Sequence, residues 1–277
     1  MDRAFRTGGA AVPAPDSGHT DGAGDRDESS IDVWTIVLVL VAVLVGSSMQ
    51  RVTGMGFALV AAPFLVLLLG PIEGIVLINA CAVLTASVIL ARVVRDVDWR
   101  RYGVLAAWAL VGIIPGALVL RVVSLAWLEI SIGVMVAVGL TVSLCLGRVA
   151  LVDRPIYKVI AGILAGFMNT TAGVGGPAAS IYAVATHWSQ RSFAATMQPF
   201  FLTLGAASLI AKFVTGAAIT PNLSGSVLLL IAAACLAGLV IGELLSRVIE
   251  PHIARRMLIV VAFVGSAATV VRGLTLL

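Results

Sequence analysis

Two apolar segments of this chain, one in each half, are interrupted by glycines and polar residues. They are MQRVTGMGFALVAAPF, from Met49 to Phe64, and GFMNTTAGVGGPAASIY, from Gly166 to Tyr182. In hydrocarbon an unpaired backbone N–H or C=O group costs several kcal/mol, so a broken helix is tolerated only where protein or a water-filled cavity surrounds it. Interrupted segments at corresponding places in two halves are typical of the substrate site of a transporter.

The rest of the chain is too apolar for a soluble globular protein. Hydrophobic residues make up 60% of the 277 residues and charged residues 12%, with a mean hydropathy of +1.09. Crossing a hydrocarbon core takes about 20 apolar residues. Six further stretches meet that length or nearly so: Ile72 to Arg92, Tyr102 to Leu120, Trp127 to Leu146, Phe193 to Phe213, Ser226 to Leu245 and Ile253 to Val271. The sequence therefore predicts an all-α, polytopic protein of the lipid bilayer.

Charge and composition separate an N-terminal tail from the rest and argue against a nucleic-acid partner. Residues 1–30 are rich in Gly, Asp, Ala and Ser, so we expect a disordered tail without a cleavable signal peptide. The net charge of +4 comes from basic residues in short loops between spans, which is typical of cytoplasmic loops. The three cysteines lie inside apolar spans and lack the spacing of metal ligands.

Matching residues in the two halves predict an internal duplication. Around the breaks, four pairs align at an offset of 119 residues: Met49 with Met168, Gln50 with Asn169, Gly54 with Gly173 and Gly56 with Gly175. Further along, three residues align with three others at an offset of 126: Gly112, Gly116 and Arg121 with Gly238, Gly242 and Arg247. We expect two pseudo-symmetric repeats, residues 31–150 and 151–277, each with one glycine-broken or re-entrant helical element followed by three transmembrane helices.

The second repeat is expected to be inverted relative to the first. Tyr157 to Met168 and Pro177 to His187 each cover about half a membrane, and they form either a re-entrant hairpin or one interrupted span. With hairpins, each repeat crosses the membrane three times, and, leaving aside the tail and Arg51, only Arg121, Lys212 and Arg272 lie near the outer side. A parallel arrangement places more basic residues outside, so the charge bias favours inversion, with the tail outside.

The second break has the residue types of an anion site. A helix ending near Met168, an exposed turn and a new helix from Pro177 would leave backbone N–H groups free at the positive end of a helix dipole. The candidate substrate-binding residues of this break are Asn169, Thr170, Thr171, Gly173, Gly175 and Gly176. The alternative is a glycine kink that only packs against neighbouring helices.

Arg51 is the candidate cation of the first break. Arginine within a membrane segment is costly and usually faces a cavity or a partner. Because the nearest acidic residues along the chain, Asp32 and Glu73, lie near segment ends, we expect Arg51 to be unpaired, although it could also snorkel to the inner surface. The other candidates here are Gln50, Thr53, Gly54 and Gly56, together with Gln198 from a later span. Asn79, Thr203 and Gln198 either line the cavity or bond a neighbouring helix.

No catalytic or nucleotide-binding pattern occurs in the sequence, so neither an enzyme nor a cofactor is predicted. His-Glu-x-x-His, Gly-x-Ser-x-Gly and Walker A sequences are all missing from it. Carboxylates at spans are restricted to Glu73, Glu129 and Glu243, all near span ends, and Glu243 is expected to pair with Arg247 four residues further on.

The two glycine-rich motifs resemble those that open the two duplicated membrane units of the sulfite exporter family known as TauE/SafE. Gly54-Met55-Gly56-Phe57 through Pro63 is similar to the first motif. Ala165 through Thr170 and Gly173 through Pro177 are similar to the second, and the resemblance covers residues 33 to 272. The first motif departs from the family's glycine triplet because Met55 and Phe57 flank Gly56.

The resemblance implies a secondary transporter for a small sulfur-containing anion, such as sulfite or an organosulfonate, usually acting outward across the plasma (inner) membrane. Together with the residues, it predicts a site where the two breaks meet near the midplane. The alternatives are a passive channel for a small anion or neutral solute and a structural factor whose glycines serve only packing. A coupling proton is the default expectation, and a homo-oligomer is left open.

Overall fold

The described part of the chain consists of helices, because an apolar segment can satisfy its own backbone hydrogen bonds in hydrocarbon only as a helix. The computed structural model describes residues 32–54, 56–145, 153–217, 223–248 and 251–277, so the predicted tail lies outside it. The helices are α1 Val33–Thr53, α2 Gly56–Leu69, α3 Pro71–Val93, α4 Trp99–Val122, α5 Leu125–Cys145, α6 Pro155–Ala172, α7 Gly176–Ala185, α8 Gln190–Thr215, α9 Gly225–Leu245 and α10 Pro251–Thr275. A short 3-10 turn, Val94–Asp96, follows α3.

Five of these helices, α1, α3, α4, α8 and α9, are long and apolar enough to cross a membrane. The six predicted stretches coincide with α3, α4, α5, α8, α9 and α10. Large aliphatic side chains such as Val214 and Leu229 are 81% and 74% exposed, as expected of a surface that faces lipid. The chain is therefore a multi-pass membrane protein, as predicted, while the repeat boundaries at residues 31–150 and 151–277 stay a prediction.

The second break lies four residues later than predicted. α6 continues through the polar residues to Ala172, and Gly173 ends it with a φ of 72°. Thr170 and Thr171 remain helical because their hydroxyls donate to backbone carbonyls one turn back, at 2.9 and 2.8 Å. The predicted end at Met168 is therefore wrong, and with 18 residues α6 is about 27 Å long rather than half a membrane.

α6 and α7 run antiparallel and form a hairpin. α7 begins at Gly176, one residue before the predicted start, with Pro177 in its first turn, and its 10 residues cover about half a membrane. On the second half of α7, the Tyr182 hydroxyl donates to the carboxylate of Asp153, which precedes α6, at 2.7 Å. The chain thus returns to the end of the molecule where α6 begins. Re-entry of this element into the membrane stays a prediction.

α1 and α2 form a second hairpin with its tip at Gly54. Gly54 has a φ of 86°, a conformation that side chains other than glycine rarely adopt, and its N–H donates to the Gln50 carbonyl. α2 then packs back along α1, so that a Cβ on Gly46 would lie 3.1 Å from atoms of both Phe57 and Ala61. At 21 residues, α1 is long enough to cross the membrane by itself.

Each hairpin is held by a helix from the other half of the chain. Gly112 of α4 lies directly against the Ile163 backbone of α6, whereas Gly238 and Gly242 of α9 lie against the backbone of α1. Small residues permit such close contact between membrane helices. α3 packs against α8 and α5 against α10. This reciprocal packing is what an inverted duplication would produce, although the repeat itself stays a prediction.

Replacing Gly112 with Ala should force α4 away from α6. The added Cβ would lie 2.9 Å from the carbonyl carbon of Ile163, so we expect the free energy of unfolding to fall by about 1–3 kcal/mol, as at other overpacked sites. Gly103→Ala on the same helix is the matched control, because nothing lies within 4 Å of its Cβ position. Thermal unfolding in detergent compares the two, and equal melting temperatures would contradict the close contact.

Polar contacts centred on Asp153 join α4, α6 and α7 at one end of the molecule, called here the basic end. The carboxylate lies 3.2 Å from the side-chain nitrogens of Arg101 and Lys158, in addition to its bond from Tyr182. The Arg101 guanidinium also lies over the Trp188 ring, 4.6 Å from its centroid. Burial raises the pKa of Asp153, but the Tyr182 and Lys158 hydrogen bonds and the Lys158 and Arg101 charges outweigh it, so the pKa lies below its ordinary value.

Asp153→Asn should destabilise the protein in a pH-dependent way. Because folding lowers the pKa of Asp153, its carboxylate contributes stability that is fully present above the unfolded-state pKa of about 3.9 and is lost as the pH falls through the folded-state value. The variant should melt at a lower temperature than wild type at pH 7, and the difference should shrink below about pH 4. Asp96→Asn is the control, since its partner Arg191 is 83% exposed and such pairs contribute little. If the melting temperature of Asp153→Asn stays as far below that of wild type at low pH as at pH 7, the stabilising role of the ionised Asp153 carboxylate is contradicted.

Candidate functional site

A small cavity lies between the tips of the two hairpins. Its lining comes from both breaks and from the helices beside them: Gln50, Phe57, Ala58, Leu59, Ala82, Asn169, Gly173, Val174, Gly175, Gly176 and Phe201. The first turns of α2 and α7 therefore both border it. Its volume is about 20 Å³, which is room for one water molecule. Apart from Gln50 and Asn169, the residues that line the cavity are glycines or have apolar side chains.

The N-terminus of α7 presents unpaired backbone donors to this cavity. Gly175 precedes the helix without a side-chain cap, and none of the backbone hydrogen bonds described outside the helices uses the N–H groups of Gly175, Gly176 or Ala178. First-turn N–H groups have no partner within their own helix, and the helix dipole adds partial positive charge there. A side chain at position 175 would collide with Leu204 and with the Ala165 carbonyl, at 2.8 and 2.9 Å. This helix end is therefore suited to an anion.

Asn169 connects the cavity to a buried cluster of neutral polar side chains. Its amide nitrogen donates to the Asn79 side-chain oxygen at 2.9 Å and to the Ser208 hydroxyl at 3.0 Å. The Thr170 hydroxyl lies 3.0 Å from that same Ser208 hydroxyl. All four side chains are at most 5% exposed. The cluster holds Asn169 in one orientation by joining α3, α6 and α8.

Gln50 belongs to a similar cluster at the first break. Its side-chain oxygen accepts from the Thr85 hydroxyl at 2.9 Å, and its nitrogen donates to the Gln198 oxygen at 3.4 Å. Gln198 in turn donates to the backbone carbonyl of Gly54 at 3.1 Å, which ties the hairpin tip to α8. Each break therefore contributes one amide side chain to the cavity, backed by hydrogen bonds from α3 and α8.

A comparison with known protein families identifies the family of the chain. The family model of the sulfite exporter TauE/SafE matches residues 38–269, which include both breaks and every residue of the cavity. The chain belongs to this family. Membership implies a membrane exporter of sulfite or a related sulfur anion. Searches of curated proteins and of solved structures give no match.

The structure brings part of the predicted site of this TauE/SafE protein together. Gln50, Asn169, Gly173, Gly175 and Gly176 line the cavity. Three more predicted residues lie one hydrogen bond or one position away: Thr170, Gln198 and Gly54. Thr171 turns instead toward Met135 of α5, at 3.8 Å. Gly56 opens α2, and only the backbone of Thr53 is described.

Arg51 is not the unpaired cation that was predicted. Its Nε donates to a carboxylate oxygen of Glu243 at 2.6 Å, and a second guanidinium nitrogen contacts the same oxygen. The predicted pair of Glu243 with Arg247 is also present, but at 3.8 Å it is the longer of the two. Arg51 lines a different cavity, of about 170 Å³, together with Arg92 and aliphatic residues of α3 and α9. The prediction was wrong because Glu243 lies 192 residues from Arg51 along the chain and meets it only in the folded protein.

Sequence reasoning missed Thr85, Ser208 and the buried position of Lys212. The sequence does contain a pattern that points to Ser208 and Lys212. Small or polar residues recur at helical spacing along one face of α8, namely Gln198, Gly205, Ser208 and Lys212. Asn79 and Thr203 were expected either to line the cavity or to bond neighbouring helices. Asn79 bonds Asn169 of α6, and Thr203 bonds the Tyr102 hydroxyl of α4. Among the described residues, no group of three His, Cys, Asp or Glu side chains could hold a metal ion.

The Arg51–Glu243 pair should couple α1 to α9 energetically. Both side chains are 28% exposed, so a double-mutant cycle of Arg51→Ala and Glu243→Ala should give a coupling energy of about 1 kcal/mol in thermal or denaturant unfolding. The matched cycle of Arg247→Ala with Glu243→Ala should give less, because Arg247 is 70% exposed and 3.8 Å away. Equal coupling in the two cycles would contradict the pairing described here.

Proposed function

We propose that this protein is a secondary transporter that exports a small sulfur-containing anion, of the sulfite or organosulfonate class, across the plasma membrane. The observation that carries the proposal is the free N-terminus of α7, which faces a cavity bordered by both glycine breaks. Backbone N–H groups at a helix end bind oxyanions without placing a full charge in the membrane. In this proposal the anion binds between the two hairpin tips, near the midplane.

Residues of both breaks bind the anion in this proposal. The N–H groups of Gly175 and Gly176 bind the oxygens of the anion, with Gln50 opposite them. The amide nitrogen of Asn169 joins them by giving up one of its two hydrogen bonds, to Asn79 or to Ser208, when the anion enters. The other predicted residues support these contacts by fixing the hairpin tips: Thr53, Gly54, Gly56, Thr170, Thr171, Gly173 and Gln198. Arg51, whose charge Glu243 already balances, joins α1 to α9. The basic end faces the cytoplasm according to the bias of basic residues.

The volume of the cavity supports a carrier rather than an open pore. At about 20 Å³ it admits one water molecule but not a sulfur oxyanion. The tips must therefore separate before the anion enters, as in carriers that expose one site to each side in turn. A passive channel remains the alternative, and accumulation of substrate against its gradient, driven by a proton gradient, separates the two because a channel cannot do this.

Uptake into proteoliposomes tests the proposal. Sulfite, sulfoacetate, taurine, thiosulfate, sulfate and chloride are offered in turn, with and without a pH gradient. We expect saturable uptake of at least one sulfur oxyanion that responds to the gradient. If correctly folded protein moves none of them, the sulfur-anion assignment is wrong for this chain, whatever its family.

Asn169→Ala should slow this uptake strongly. Losing a hydrogen bond to a charged group costs about 1.5–3 kcal/mol, which corresponds to roughly a 10- to 100-fold lower apparent affinity or rate. Ser87→Ala on α3 is the control, because the Ser87 hydroxyl bonds only its own helix at Val83 and the residue faces outward. Size-exclusion profiles verify that both variants fold. Transport by Asn169→Ala at the wild-type rate would remove this residue from the proposed site.

A further inference from the structure

Lys212 is the one cation of the described membrane helices whose charged group is buried without a partner. It is 1% exposed, and its ammonium has neither a hydrogen bond nor an ion pair among the described residues. Among the described residues, none of the three span carboxylates bonds it: Glu243 pairs with Arg51, Glu129 lies 3.7 Å from Arg272, and Glu73 makes no hydrogen bond with Lys212. Lys212 therefore has no built-in counter-ion.

The place of Lys212 on α8 connects it to the candidate site. It lies four residues, or about 6 Å, beyond Ser208 on the same helix face. Ser208 bonds both Asn169, which lines the cavity, and Thr170. Long side chains on a helix lean back over the preceding turn, and the four-carbon stem of lysine spans a comparable distance, so the Lys212 ammonium can reach toward the Ser208 side of this cluster.

An ammonium in this position is costly unless an anion joins it. Moving an isolated charge out of water is among the largest penalties in a protein, and ionisable residues within membrane segments mark pathways for ions and substrates. The hydrogen bonds of Asn169 and the N–H groups of α7 are neutral donors, and they cannot balance the charge of an oxyanion by themselves. Arg51 cannot do so either, since it belongs to another cavity and already has a carboxylate partner.

We propose that Lys212 is the counter-charge of the transported oxyanion. In this arrangement the α7 N–H groups and Asn169 orient the oxygens, while the Lys212 ammonium balances the negative charge. The inference rests on the proposed function and deepens it, because it assigns the charge of the site to a residue outside both glycine motifs. It also makes the substrate class explicit, since a zwitterion such as taurine needs no net counter-charge and should be a poorer substrate than sulfite.

Lys212→Met, with Lys212→Gln as a second neutral variant, tests this assignment with sulfite as the probe. We expect sulfite uptake into proteoliposomes to fall about tenfold or more in both variants, because a hydrogen-bonded charge partner is lost. Lys212→Arg should retain part of the uptake. Without sulfite, Lys212→Met should melt at a higher temperature than wild type, since it removes an uncompensated buried charge. Lys158→Met is the control, because Lys158 is paired with Asp153. Its loss should lower the melting temperature, whereas Lys212→Met raises it, and it should leave sulfite uptake unchanged.

A binding measurement separates failure of this inference from failure of the proposed function. Sulfite should raise the melting temperature of wild type in a concentration-dependent way and should not raise that of Lys212→Met. Uptake by both neutral variants at the wild-type rate and affinity would overturn the role of Lys212 and leave the transporter assignment standing. If wild type transports no anion, a sulfite-dependent shift that disappears in Lys212→Met still supports the assigned contact, whereas equal shifts in both proteins, or none in either, would overturn it.

Discussion

The cost of leaving backbone hydrogen-bonding groups unpaired in hydrocarbon underlies this architecture. The breaks at Gly54 and at Gly173 to Gly175 free such groups at membrane depth, so each must be enclosed by other helices. Each break is enclosed by a helix from the other half of the chain. α4 packs on α6 and α9 packs on α1, in both cases through contacts between glycines and the facing backbone. Residues next to both breaks then line one cavity. The packing that protects the breaks also creates the candidate site.

Neutral polar groups and full charges are distributed differently in the membrane region. The amides and hydroxyls near the cavity satisfy one another across α1, α3, α6 and α8. Full charges occur farther away in pairs, as for Arg51 with Glu243 and Arg272 with Glu129. Among the described helices, Lys212 is the cation that is buried without a partner. A site built of neutral donors with a single nearby cation can attract an anion without holding it so tightly that release becomes slow.

The contrast between the two ends of the α6–α7 hairpin indicates which part can move. At its open end, Asp153 is held by Arg101, Lys158 and Tyr182. At its tip, the described polar contacts are the neutral hydrogen bonds of Asn169 and Thr170. Neutral hydrogen bonds are weaker than charge-assisted ones. In the proposed mechanism, the tip is therefore the part of the hairpin that yields when the anion enters the cavity.

Local properties of the sequence determined the membrane class, the six apolar helices and the existence of both breaks. Each of these follows from segment length, hydropathy and the conformational freedom of glycine, and none requires knowledge of a neighbour. The end of α6 was misjudged by four residues because threonines can bond their own helix, which the residue types alone leave undecided.

Tertiary structure decided which polar groups meet. Arg51 and Glu243 are 192 residues apart, Gln50 and Gln198 are 148 apart, and Asn169 and Asn79 are 90 apart. A search for the acidic residue nearest along the chain therefore predicted an unpaired Arg51, whereas the buried cation without a partner among the described residues is Lys212. Hydropathy and spacing report on single segments, but the pairing of charges depends on which helices pack together and at what depth, and only the folded chain specifies that.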